Sequence, residues 1–162
     1  FSAATGALTG SSLDGARKEM DVNYFGLLRV TRAFVPAMAA RGAGAVVNVL
    51  SFLSLVTMPL AGTYSASKAA GLALTRSLRA ELAGKGIEVL AAMPVQIDTA
   101  MGQFTPDAKV PPQEAASDTL DSVEAGETEF HPGALSRGAA AAFAADPVGL
   151  RAQLATLLPP SR

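Results

Sequence analysis

In "TYSASKAAG" (63–71) the second and last tyrosine of the chain stands four residues before a lysine, inside a run of small side chains. On a helix that spacing puts Tyr64 and Lys68 on one face. Ala66, Ser67, Ala69, Ala70 and Gly71 are too small to hide the pair. A free phenol titrates near pH 10 and is a poor proton donor or acceptor at neutral pH. An ammonium one turn away favours the phenolate and is expected to lower that value. The same spacing also suits a plain surface pair, or a helix packed closely on another. The elements around it have to decide.

Those elements read as alternating strands and helices. "AVVNVLS" (45–51) is short, apolar and β-branched, which predicts a buried strand of a parallel sheet. A loop follows, then a helix from about 63 to 83, closed by "GKG" (84–86) with Gly86 as its expected C-cap. "IEVLAAM" (87–93) is the next strand. Strand, helix and strand with short links form a βαβ unit, the building block of a doubly wound α/β sheet. Before it, apolar residues Met20, Phe25, Leu28, Phe34, Val35 and Met38 recur at helical spacing, predicting one helix from 13 to about 40. Ser11 or Ser12 is placed to cap it, and Pro36 to bend its last turns. After the second strand comes a proline-rich loop (94–112), at the strand end where open α/β sheets bind ligands. A short helix (113–126), an edge strand in "ETEFHP" (127–132) and an Ala-rich helical tail broken at Pro147 complete the chain, with 157–162 expected to fray.

Composition narrows the chemistry. The 162 residues suit about one domain. Net charge is −1, and no basic patch or aromatic ladder points to nucleic acid. The absence of cysteine excludes disulfides and thiolate metal sites, and the single histidine excludes a His-based metal cluster. No apolar run approaches the roughly 18 residues of a membrane span, and a cytoplasmic location is the default expectation.

With these elements in place the sequence resembles the short-chain dehydrogenase/reductase family, well from about 11 to 101 and loosely after that. "MDVNYFG" (20–26) looks like the family's helix motif with a central Asn, here Asn23. "GAVVNVLS" (44–51) looks like the strand that ends in the catalytic serine, here Ser51, thirteen residues before the tyrosine. "YSASK" (64–68) matches Tyr-x-x-x-Lys, and "PVQIDT" (94–99) looks like the Pro-Gly-x-x-x-Thr turn, with Val95 in place of the glycine. Such a resemblance implies a Rossmann-like domain and a catalytic set of Ser51, Tyr64, Lys68 and Asn23. Pro94, Ile97 and Thr99, with Tyr64 and Lys68, would contact NAD or NADP. The implied substrate is a small alcohol or carbonyl compound, with specificity in 52–62 and 94–126. A homodimer or homotetramer is implied through the two long helices, where Ala69, Ala73, Ser77 and Ala80 allow close approach.

Against that pattern, no Gly-x-x-x-Gly-x-Gly turn occurs in the chain. By resemblance residue 1 falls just after the family's fourth strand, so the sheet is expected to be truncated and strand 45–51 to have an exposed edge. Two alternatives stay open. One is a non-catalytic remnant that forms an interface without binding cofactor; the other is a family member acting as an epimerase or dehydratase. Ser54 rivals Ser51, while His131 and Asp98 are expected to be structural.

Overall fold

The computed structural model describes residues 1–3, 6–10, 12–104 and 107–159. Three parallel strands, β1 (Gly44–Val49), β2 (Ile87–Ala92) and β3 (Glu129–Phe130), lie in the order β1-β2-β3. β1 and β2 pair from Gly44↔Ile87 to Val49↔Ala92. β3 pairs with the end of β2 through Ala91↔Glu129 and Ala92↔Phe130. Alternation along β2 sends Ile87, Val89, Ala91 and Met93 to one face and Leu90 and Ala92 to the other. The first set packs on Leu72, Leu78 and Leu82 of α3 (Gly62–Leu82), the helix that connects β1 to β2. The second packs on Phe130 and on Val123 of α4 (Pro112–Glu124). Helices therefore cover both faces, as the doubly wound reading requires. Asn48, buried inside β1, donates to Thr75 Oγ1 of α3 at 2.9 Å, which makes its burial tolerable. Ala134–Ala145 (α5) and Pro147–Ala155 (α6) complete the helices.

Several expectations are corrected. The single helix over 13–40 is three pieces: α1 (Asp14–Met20), a π turn (Asp21–Gly26) and α2 (Leu27–Arg41). Hydrophobic spacing does not reveal the π turn, because the wider step it introduces falls among short apolar spacings that also fit an α-helix. α2 runs through Pro36 and ends at Gly42, whose φ of 68° is left-handed. Ser12 Oγ accepts the Asp14 N–H at 3.1 Å; Ser11 lies outside the described residues. Gly86 is not the cap of α3, which ends at Leu82 with Ala83 in the cap position. Gly86 instead lets two loops meet: its φ is 68°, and a Cβ there would stand 1.9 Å from the Gly42 carbonyl oxygen. In the tail, the Leu157 carbonyl accepts the Leu60 N–H at 3.0 Å. Residues 160–162 lie outside the described residues.

β1 has no strand on its outer side among the described residues. Val49 is 60% exposed there, and Val30 and Phe34 of α2 stand exposed nearby. Together they line a groove of about 540 Å³ that also contains Asn23 and Lys68.

Candidate active site

The C-terminal ends of β1 and β2 are laced together. Leu50 N–H donates to the Ala92 carbonyl and Phe52 N–H to the Pro94 carbonyl, each at 2.8 Å. Ser51 therefore sits beside the turn that follows β2. Its backbone is extended, and its Oγ accepts the Leu53 N–H at 3.1 Å, starting the short turn Phe52–Ser54. α3 then presents Tyr64 and Lys68 to the same end of the sheet. Lys68 Nζ is 5.7 Å from the Tyr64 ring centre and donates to the Val49 carbonyl at 3.1 Å. Asn23, buried in the π turn, joins this helix from the other side. Its Nδ2 donates to Ser67 Oγ at 2.9 Å and to the Phe1 carbonyl at 2.8 Å, and its Oδ1 accepts from the Phe1 amino group at 3.0 Å. Ser67 Oγ in turn donates to the Tyr64 carbonyl at 2.7 Å. The π turn and the Tyr64 turn of α3 are thus one hydrogen-bonded unit.

Electrostatics reverse one expectation. The Tyr64 phenol is pushed above its usual value, not below it. Burial is the main cause, the Glu19 carboxylate adds to it, and the Ser51 hydroxyl facing the phenol pulls the other way. Lys68 is itself lowered to about 8 by burial, and one of its three N–H groups goes to the Val49 carbonyl. Spacing shows that the two share a face; it carries no information on how deeply they are buried.

Lys68 gives a stability prediction. Its folded value lies below the ordinary 10.5, so the unfolded chain holds more protons between about pH 8 and that value. Stability linked to Lys68 should therefore rise with pH from about 8 towards the ordinary 10.5. Thermal melts from pH 7.5 upward (a ~2-unit range) check this, with Lys68→Met expected to flatten the rise. Equal slopes in both proteins would refute it.

The turn after β2 is held from behind. Met93 N–H donates to the Phe130 carbonyl at 2.8 Å, and the Met93 carbonyl lies 3.0 Å from His131 Nδ1. Val95 N–H donates to Oγ of the fully buried Ser136 at 3.0 Å. Ile97 bridges to Val110, and the Asp98 N–H donates to the Val110 carbonyl. Pro94 is buried, Ile97 half-buried and Thr99 exposed, with Thr99 Oγ1 turned to the Ile97 carbonyl at 3.4 Å. Ser51, Tyr64, Lys68, Asn23 and Pro94 therefore gather at one end of the sheet, while Thr99 lies at the rim. His131 contacts the Met93 carbonyl and stands edge-on to Phe52.

Three participants escaped sequence reasoning: Ser67, Ser136 and Glu19. None of the three carries a local signal in the sequence; each is marked only by its contacts in the fold.

The chain belongs to the short-chain dehydrogenase family, whose model matches residues 4–109. Over 102 residues it is 39% identical to 2-(R)-hydroxypropyl-CoM dehydrogenase of Xanthobacter autotrophicus, covering 63% of this chain and 41% of that protein. Over 87 residues it is 47% identical to galactitol 2-dehydrogenase (L-tagatose-forming) of Cereibacter sphaeroides, covering 52% of this chain and 34% of that protein. The chain thus spans less than half the length of these relatives. Among solved structures, a short chain dehydrogenase from Burkholderia cenocepacia in complex with NADP superposes with a TM-score of 0.89 at 39% identity, over 99% of this chain and 66% of that one.

Proposed function

We propose that this chain carries the catalytic half of an NAD(P)-dependent oxidoreductase that interconverts an alcohol and a carbonyl compound. The observation that carries the reading is the convergence of Ser51, Tyr64 and Lys68 at the C-terminal end of β1. The residues present fit the nicotinamide end of such a cofactor: Lys68 opens onto the groove beside β1, and the braced turn at 94–99 leaves the sheet beside Ser51. Lys68 and Tyr64 would hold the ribose, with Pro94, Ile97 and Thr99 at the carboxamide end. The cofactor, when bound, supplies or removes a hydride at the substrate carbon.

The rest is done by side chains. Ser51 hydrogen-bonds the substrate oxygen. Tyr64, protonated at neutral pH, gives that oxygen its proton in reduction; in oxidation it would first pass its own proton to Lys68 and then accept the one leaving the alcohol. Lys68 replaces the proton and orients the cofactor. Asn23 keeps the π turn locked to α3, and a relay water would sit on its backbone, since its amide is committed to Phe1 and Ser67. Ser51→Ala tests the assignment: kcat should fall about 10²-fold while cofactor affinity stays near the parent value. A variant with parent kcat would remove Ser51 from the site.

Small alcohols or carbonyl compounds are the proposed substrates, and the cytoplasm the proposed location. No described helix is long and apolar enough to cross a membrane. A homodimer or homotetramer would use α3, where Ala69, Ala73, Ser77 and Ala80 form an exposed line. Ala73→Asp in the protein that contains this chain should lower its mass in solution by about half, because a buried unpaired charge is not tolerated. An unchanged mass would place the interface elsewhere.

A further inference from the structure

The loop that joins Ser51 to α3 is held in two different ways. Its first half is fastened at the sheet end. Phe52 N–H donates to the Pro94 carbonyl and Leu55 N–H to the Phe52 carbonyl, and both Phe52 and Val56 are buried. Its second half, 58–61, closes on itself through the Ala61 N–H and the Met58 carbonyl at 2.9 Å. Pro59 has no N–H to give. The Leu60 N–H leaves the loop altogether and goes to the Leu157 carbonyl at 3.0 Å.

The same two segments meet again at Gly6, which is buried. A Cβ on Gly6 would stand 2.7 Å from Pro159 Cγ and 3.0 Å from the Pro59 carbonyl oxygen, so the absence of a side chain is what lets both close on residue 6. Ala7 lies against the start of α3, its backbone nitrogen 3.6 Å from where a Gly62 Cβ would be. Hydrophobic burial is not what seats 157–159 here, because Leu157 is 45% and Leu158 70% exposed. What the segment delivers is one backbone acceptor and one proline ring of fixed φ.

Ser51 stands at one end of this loop, and Tyr64 lies just past the other. A substrate oxygen held by both hydroxyls sits between those ends, and the carbon skeleton behind it meets the body of the loop. We propose that residues 157–159 are a strap that fixes 58–61 beside the site, with Gly6 the positioning residue on which strap and loop close, and that the closed loop limits the size of the substrate. The functional half of this inference deepens the oxidoreductase reading and rests on it; the strap itself does not.

Two measurements in the protein that contains this chain test it. Amide hydrogen exchange needs no turnover. The Leu60 amide should be protected in the parent and should exchange about tenfold faster once residues 157–162 are removed, with the amides of Phe52 and Leu55 unchanged. Equal exchange of Leu60 with and without the strap would overturn the proposal. The second measurement is kcat/KM for a small and a bulky ketone. Gly6→Ala drives the Pro159 ring away, and Pro159→Gly removes the ring without adding an atom, so the second variant serves where the first fails to fold. Each should raise the bulky-to-small ratio by about tenfold, the discrimination an apolar wall gains or loses with a methylene or so of room. Cofactor Kd should stay at the parent value. A folded Pro159→Gly variant with a lower Tm and an unchanged ratio would also overturn the proposal, leaving 157–159 a cover for the fold. If the hydride-transfer reading itself fails, the parent turns over neither ketone while the exchange difference at Leu60 remains.

Discussion

Tyr64→Phe should lower kcat by about 10²–10⁴-fold in the protein that contains this chain, the usual contribution of a positioned acid–base group. The substitution removes one hydroxyl and no ring atoms. The ring keeps its place against Lys68, and the backbone carbonyl of residue 64 still accepts from Ser67. Loss of a single hydrogen bond costs about 1 kcal/mol, so the fold should survive with a small shift in melting temperature. Cofactor affinity should change much less than rate. Parallel measurement of kcat, cofactor Kd and Tm separates these outcomes, and a folded variant with parent kcat would mean that another group handles the proton.

Lys68→Met should damage two quantities at once. One ammonium is assigned both the ribose and the resupply of Tyr64, so kcat should drop at least about 10²-fold and cofactor Kd should rise. Stability should not suffer in parallel. Burial already depresses the lysine to about 8, so its charge is held in the fold at a cost, and a thioether of similar length relieves that cost. Lys68→Arg should restore only part of the rate, because a planar guanidinium differs in reach and in donor geometry. A rate loss with unchanged cofactor Kd would split the two roles and assign the ribose to another residue.

The β1–α3–β2 core was legible because its signals are local: a β-branched apolar run, small residues at helical spacing, and glycines at the junctions. The shared face of Tyr64 and Lys68 followed from the same spacing. What spacing could not carry was depth. The phenol is withdrawn from water, and that desolvation turns the Tyr64 shift opposite to the expectation. The π turn was hidden for a related reason. It is held by the long-range bonds of Asn23 to Phe1 and Ser67, 22 and 44 residues away, and no local pattern announces such partners. Val95 looked like a departure that would reshape the turn after β2. Its N–H is held by Ser136, 41 residues on, a contact visible only once α5 is folded against the strand end.

The most direct measurement follows reduced nicotinamide cofactor and ketone together, in the protein that contains this chain and in its Tyr64→Phe variant. Expected is consumption of one cofactor for each alcohol formed, with the rate lowered by about 10²–10⁴-fold in the variant. A protein that binds the cofactor and consumes none of it with any carbonyl compound offered would be incompatible with hydride transfer at this site. So would a correctly folded Tyr64→Phe variant that reduces the ketone at the parent rate.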